Sequence, residues 1–130
     1  MMGDAGSDRP LEGRRVLIVE DEYFQAREIA LTLAKAGAEI VGPTAHAAEV
    51  AELIDANPVD VAMLDINLGR GASFDVARLI RDRGLPFLFL TGYDVSIIPE
   101  DLAGPPRLEK PVNQDDLIAQ LTELVGAKAS

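Results

Sequence analysis

Residues 14–22 read RRVLIVEDE, a compact run of apolar and β-branched residues that ends in three acids. A continuous apolar run of this length is typical of a strand buried on both faces, as in a parallel sheet. Three further runs of this kind occur along the chain, at residues 38–41, 59–64 and 86–90, and residues 107–109 are expected to form a brief additional strand. We therefore expect five short strands.

Stretches with helical periodicity separate these strands. Between the first two strands, apolar residues recur at i, i+3, i+4 and i+7, the spacing of an amphipathic helix: Ala26, Ile29, Ala30 and Leu33. Further helices are expected over residues 47–56, from residue 74 onward and near the C-terminus. Three prolines, Pro99, Pro105 and Pro106, interrupt the stretch between the last two strands, so a helix there must be short or irregular.

Alternating strands and helices favour βαβ units with right-handed crossovers and a parallel sheet covered on both faces. At this length the expected fold is α/β, a flavodoxin-like (βα)5 doubly wound sheet with strand order 2-1-3-4-5. We expect one domain over residues 14–126, preceded by a flexible lead-in (1–13) and followed by a short tail (127–130). The four phenylalanines, Phe24, Phe74, Phe87 and Phe89, are expected in its core.

Composition and charge exclude several classes of protein. The 130 residues include 22 acids and 12 bases, for a formal charge of −10, so neither nucleic acid nor an anionic membrane is an expected partner. There are 0 cysteines, which excludes disulfides and thiolate metal sites. No apolar run approaches the roughly 20 residues that span a bilayer, and the N-terminus lacks the pattern of a signal peptide. These features predict a cytoplasmic protein.

Polar side chains follow four of the five predicted strands. They are Glu20 and Asp21, Asp65, Thr91, and Lys110. In the order 2-1-3-4-5 these strand ends meet at the topological switch point, where ligands bind in such folds. We therefore expect the five side chains to form one site.

The residue types at this site indicate phosphoryl chemistry. Three clustered carboxylates repel one another, and one is pushed towards its protonated form unless a cation intervenes. Mg²⁺ prefers oxygen ligands and is commonly held by one or two carboxylates together with a phosphate. Lys110 and Thr91 offer a positive charge and a hydroxyl donor to phosphoryl oxygens. Asp65 is then the expected nucleophile, which would become an aspartyl phosphate.

The segments RVLIVEDE, VAMLDINL, FLTGY and LEKPV resemble the receiver domain of two-component response regulators. The resemblance covers roughly residues 14–125, and its motifs agree in order and spacing. The stretch PFLFLTGY is also similar to an alphaproteobacterial receiver subfamily marked by Pro-Phe-x-Phe-x-Thr-Gly. In that subfamily the fourth helix is often poorly formed, which agrees with the prolines noted above.

The resemblance implies a role for each site residue. Asp65 would accept a phosphoryl group from a sensor histidine kinase or a histidine phosphotransferase, Thr91 would sense the phosphoryl oxygen, and Lys110 would contact the phosphoryl group. The implied Mg²⁺ ligands are Glu20, Asp21, Asp65 and the backbone carbonyl of Asn67.

Two positions depart from the common receiver pattern. The first acid is Glu20 rather than the usual Asp, and its longer side chain could reach the metal directly or through water. Arg107 stands where most receivers carry an aromatic residue that moves inward on activation. We expect Tyr93, or a rearrangement of residues 95–106, to transmit the signal instead.

Taken together, these features predict a stand-alone receiver, monomeric or weakly dimeric. It would signal by contact with a downstream protein or act as a phosphate sink, and it would catalyse only its own phosphorylation and dephosphorylation. One alternative is a pseudo-receiver, a binding module that is not phosphorylated. Another is a phosphatase with an aspartate nucleophile, but such enzymes place a second acid two residues later, where this chain has Asn67. A flavin-binding domain is a weaker alternative, since acids occupy the loop that would hold the flavin phosphate.

Overall fold

The computed structural model describes residues 9–66, 74–92 and 98–129. The strands are β1 (Arg15–Val19), β2 (Glu39–Thr44), β3 (Val61–Asp65), β4 (Phe87–Thr91) and β5 (Arg107–Glu109). The α-helices of the described ranges are α1 (Tyr23–Lys35), α2 (Ala47–Ala56), α3 (Phe74–Asp82) and α4 (Gln114–Ala129). A short 3₁₀ turn, Glu100–Leu102, lies between β4 and β5. None of the helices described here is long and apolar enough to cross a membrane.

The five strands form one parallel sheet in the order β2-β1-β3-β4-β5, which confirms the predicted α/β flavodoxin-like topology. Strands β3 and β4 are buried along their whole length, and β1 is buried from Val16 to Val19, because helices cover both faces of the sheet. Alternate residues of β1 contribute to two separate apolar clusters. Leu17 and Val19 face the cluster formed with α2 and α3, whereas Val16 and Ile18 face the cluster formed with α1 and α4.

The segment between β4 and β5 confirms the expectation of a short or irregular fourth helix. Within residues 98–106 the helical structure consists of the 3₁₀ turn Glu100–Leu102, which follows Pro99. Leu102 is buried in the cluster that also holds Phe87 and Phe89. Leu102 therefore anchors this turn to the apolar core.

Strand β2 is longer than the apolar run that predicted it. The run stops at Val41, but β2 continues through Gly42 and Pro43 to Thr44. The register against β1 shifts between Leu17 and Val19, and Gly42 has a positive φ of 92°. Glycine adopts this conformation at little cost. The shift allows the backbone oxygen of Thr44 to accept a hydrogen bond from the amide of Glu20 at 2.9 Å.

Part of the expected lead-in belongs to the folded core. Leu11 is completely buried against the α1 and α4 side of the sheet, and its amide donates to the backbone oxygen of Ala36. Gly37 permits this approach, because a Cβ there would lie 2.7 Å from the Cα of Glu12. The expectation of a loose segment over residues 1–13 therefore fails for Leu11, and residues 1–8 lie outside the described ranges.

The prediction that Phe24 belongs to the core is wrong. Phe24 is 74% exposed and stacks edge-to-face on exposed Tyr23. Residues two apart on a helix point in different directions, so Phe24 lies away from the stripe that begins at Ala26. The other three phenylalanines pack in or against one cluster as expected: Phe74, Phe87 and Phe89.

Candidate functional site

Buried polar side chains of the described residues lie at the carboxyl edge of the sheet. Asp65 is the last residue of β3 and Thr91 is the last residue of β4, and Glu20 directly follows β1. All three are almost completely buried, although the strands that carry them are otherwise apolar. Because β1, β3 and β4 are neighbours, their last residues lie side by side at one end of the sheet. Burying polar groups is costly unless they have partners or a function.

Lys110 provides the positive charge at this edge. Its Nζ lies 2.6 Å from Oδ2 of Asp65 and 3.8 Å from Oε1 of Glu20. The backbone amide of Lys110 donates to the carbonyl of Thr91 at 2.7 Å, so pairing between β4 and β5 holds the lysine in place. One ammonium group therefore faces two buried carboxylates.

The three acids form a compact cluster, as predicted. Glu20, Asp21 and Asp65 each offer one carboxylate oxygen, and these oxygens lie within 4.8 Å of one another. Asp21 is exposed whereas the other two are buried, so solvent reaches the cluster from one side. Oxygen ligands at this spacing suit a hard divalent cation such as Mg²⁺.

Glu20 is an acid of this cluster whose pKa is strongly raised. Its Oε2 accepts a hydrogen bond from the amide of Glu22 at 3.1 Å, but as a carboxylate its buried Oε1 has no hydrogen-bond donor. Burial is the main cause that raises the pKa of Glu20 to about 8, and the adjacent Asp65 carboxylate raises it further. The Glu22 amide and Lys110 lower this pKa by less. Without a cation, Glu20 is therefore the acid of the cluster that holds a proton at neutral pH.

The hydroxyl of Thr91 is also buried without a hydrogen-bond partner. A buried hydroxyl normally has one, because leaving it unsatisfied costs free energy. An unpaired donor at the same sheet edge as Asp65 is suited to an oxygen atom that arrives with a ligand.

The charges and oxygen ligands of the acidic cluster suit Mg²⁺. A divalent cation would replace the proton on Glu20, add its positive charge to that of Lys110 beside Oε1, and offset the repulsion between Glu20 and Asp65. The residues that would hold it are Glu20, Asp21 and Asp65. Asn67, whose backbone carbonyl is the fourth expected ligand, lies outside the described ranges.

Of the two candidate signalling residues, the structure describes Arg107 but not Tyr93. Tyr93 lies outside the described ranges. Arg107 is exposed at the start of β5, in register with Phe89 of β4. An exposed arginine cannot act as an aromatic residue that moves inward from this position.

Thr44 is a buried polar residue that the sequence analysis missed. It lies beside Glu20 and its hydroxyl donates to the carboxylate of Glu49 in α2. The prediction ended this strand at Val41, because the next two residues, Gly42 and Pro43, do not continue the apolar run, and so it did not reach Thr44. A polar residue just beyond a Gly-Pro pair is the only sign of it in the sequence.

Comparison with known proteins identifies relatives of the whole fold. The family model described as the response regulator receiver domain matches residues 16–122. The transcriptional regulatory protein PdtaR of Mycobacterium tuberculosis H37Rv is 32% identical over 109 residues, which cover 81% of this chain and 53% of that protein. The chain thus spans about half the length of this curated relative.

Solved structures agree with this result. The solution structure of SdrG from Sphingomonas melonis Fr1 has a TM-score of 0.72 and 29% identity, covering 86% of this chain and 95% of that one. A response regulator receiver protein from Sinorhizobium medicae has a TM-score of 0.74 at 24% identity, covering 91% and 98%. The second likeness, at this identity, is a likeness of fold alone.

Proposed function

The chain belongs to the response regulator receiver domain family, and on that premise we propose that it accepts a phosphoryl group on Asp65 in a Mg²⁺-dependent reaction. Receivers are signalling domains of two-component systems rather than true enzymes. The observation that carries the proposal is the buried Asp65 carboxylate, 2.6 Å from Lys110 and within the acidic cluster. A structural aspartate would not need two further acids beside it.

In the proposed reaction an oxygen of Asp65 attacks the phosphorus atom of a phosphohistidine. A new P–O bond forms, and the P–N bond breaks with its electron pair left on the imidazole nitrogen. Glu20, Asp21 and Asp65 would hold Mg²⁺, which would supply neutralisation of the negative charge. The donor would be a sensor histidine kinase or a histidine phosphotransferase.

Lys110 and Thr91 would then bind the transferred group. The Lys110 ammonium already lies within hydrogen-bond distance of Asp65, so a short movement brings it onto a phosphoryl oxygen. The unpaired Thr91 hydroxyl would donate to another oxygen and thereby gain the partner it lacks. Both contacts are charge-assisted, and such bonds are stronger than neutral ones.

The signalling output is proposed to be contact with a downstream protein or the withdrawal of phosphoryl groups from a shared kinase. The aspartyl phosphate carries about −1.5 to −2 charge where the Asp65 carboxylate carried a single negative charge, and this added charge and bulk can bias a nearby two-state element. Because Arg107 is exposed, such an element would work without an inward-moving aromatic at that position. Tyr93 remains our candidate to transmit the signal.

The test is intact mass after incubation with Mg²⁺ and acetyl phosphate, followed by a phosphorylated histidine kinase as donor. We expect one phosphoryl group on the wild type, none on Asp65→Asn, and none in EDTA. Asp60→Asn is a matched control, because Asp60 is a second aspartate near the sheet and lies outside the acidic cluster. Its carboxylate accepts a hydrogen bond from the amide of Arg15. Failure of the wild type with both donors would favour the pseudo-receiver.

A further inference from the structure

An ion-pair cluster connects the segment between β4 and β5 to helix α3. Asp101, in the 3₁₀ turn, accepts hydrogen bonds from Nε and Nη2 of Arg78 at 3.0 and 3.2 Å. It accepts a third from Nη1 of Arg81 at 2.9 Å. We call these three residues the Asp101 clamp. Two arginines three residues apart lie on the same face of α3, so both reach the same carboxylate.

The clamp is better defined than most surface ion pairs. Arg78 binds Asp101 with two parallel bonds, a fork geometry that fixes orientation as well as distance. The Arg78 and then the Arg81 hydrogen bonds lower the pKa of Asp101 to about 2, so the carboxylate stays charged under physiological conditions. All three side chains are nevertheless partly exposed, so salt screens the cluster.

The position of the clamp links the two chain segments that leave the phosphorylation site. Helix α3 follows the strand that ends at Asp65, and the 3₁₀ turn follows the strand that ends at Thr91. Leu102, next to Asp101, belongs to the same apolar cluster as Ile80 of α3 and Phe89. The turn is thus held by an apolar side chain on its buried side and by charged contacts to α3 on its exposed side.

The turn lies in the chain segment that leads from Thr91 to β5. The Thr91 hydroxyl is buried without a partner, so a phosphoryl oxygen within its reach would give it a hydrogen bond and change the contacts at the end of β4. Asp101 comes ten residues after Thr91 in the chain and is fixed to α3 by two arginines. A change at Thr91 would therefore act on a segment that the clamp holds to α3.

We propose that the Asp101 clamp is a latch that stabilises the unphosphorylated arrangement of the segment between β4 and β5, and that phosphorylation of Asp65 is coupled to its release. This inference rests on the proposed function, since it concerns the regulation of the same site. By linkage, weakening the latch must favour the phosphorylated arrangement by the same factor. Asp101 is therefore a positioning residue that acts through the segment carrying Thr91.

The experiment uses beryllofluoride with Mg²⁺ as a non-covalent mimic of the phosphoryl group, and reads amide hydrogen exchange by NMR. Two amides report on the turn: Leu102 donates to Pro99, and Ala103 donates to Glu100. In the wild type we expect beryllofluoride to reduce the protection of both. In Asp101→Asn we expect low protection from the start and a dissociation constant for beryllofluoride about twofold to fivefold lower, the range expected for an exposed ion-pair cluster.

The matched control is Asp55→Asn, which removes an acid that pairs with Arg83, an arginine outside the clamp. It should leave both quantities at wild-type values, whereas Arg78→Gln should act like Asp101→Asn. Raising the salt concentration should shift the wild type towards Asp101→Asn and change that variant little.

Three results would overturn the latch. Protection that is unchanged or increased by bound beryllofluoride would show that the turn is not released. Weaker binding by Asp101→Asn would show that the clamp supports the phosphorylated arrangement instead. An equal effect of Asp55→Asn would reduce the clamp to a general charge effect. A wild type that binds no beryllofluoride would overturn the proposed function, and the latch with it.

Discussion

Replacing Glu20 with glutamine should change how the stability of the metal-free domain depends on pH. In the folded protein the pKa of Glu20 is raised from 4.5 to about 8, mainly by burial. Between these values the folded state keeps a proton that the unfolded state has lost. Stability must therefore fall as pH rises through this window, and the loss ends once pH exceeds the folded-state pKa.

The size of the effect follows from one proton. Each pH unit within the window lowers the free energy of unfolding by about 1.4 kcal/mol, so two units lower it by about 2 to 3 kcal/mol. Glutamine keeps the side-chain length and an oxygen to accept the bond from the Glu22 amide, but carries no charge to desolvate. The Glu20→Gln protein should lack this part of the pH dependence.

The assay is urea denaturation of both proteins in EDTA at about pH 5.5 and about pH 7.5. The change in unfolding free energy between the two pH values is measured for each protein, and the change in the variant is subtracted from that in the wild type. Subtracting the variant removes the contributions of the other titrating groups, which both proteins share. Adding Mg²⁺ at the higher pH should restore wild-type stability, because the cation replaces the proton and binds only the folded state. Parallel pH dependence in the two proteins would refute the assignment of the strained carboxyl to Glu20.

Three further substitutions test the site and the core. Thr91→Val should leave the urea midpoint nearly unchanged, because the hydroxyl it removes has no partner, yet it should lower the yield of phosphorylated protein. Leu11→Ala should cost about 2 to 5 kcal/mol of unfolding free energy, since this side chain is fully buried, and a cost near zero would place it outside the core. Phe24→Ser should change stability by no more than about 0.5 kcal/mol by the same assay, because the ring is exposed. A large loss would mean that Phe24 packs in the folded protein.

Much of the fold could be predicted because it depends on local pattern. Apolar runs such as residues 14–19 and 86–90 have few ways to be buried except as central strands of a covered sheet. Alternation with helices then restricts the topology to a few orders, and the right-handed crossover selects among them. The prolines between β4 and β5 likewise limit the fourth helix by local chemistry alone, because a proline inside a helix removes a backbone donor and clashes with the preceding turn.

Other features escaped prediction because they depend on contacts between distant parts of the chain. Leu11 looks like part of a polar tail, and its burial follows only from the surface that α1 and α4 present to it. Phe24 is an exception, because its position two residues before Ala26 places it off the apolar stripe of α1, and the helical period of the sequence could have shown its exposure. The clamp of Asp101 by two arginines joins residues that no short motif connects.

The same division holds for the site. The sequence alone determined which groups end the strands, because strand order brings Glu20, Asp65, Thr91 and Lys110 to one edge whatever the side-chain details. Only the tertiary structure decided the state of these groups. Without a cation Glu20 holds a proton at neutral pH, Lys110 donates a hydrogen bond to Asp65, and the Thr91 hydroxyl has no hydrogen-bond partner. The reason is that desolvation and hydrogen bonding act over a few ångströms and depend on which atoms are buried together, and that is settled only when the whole chain has packed.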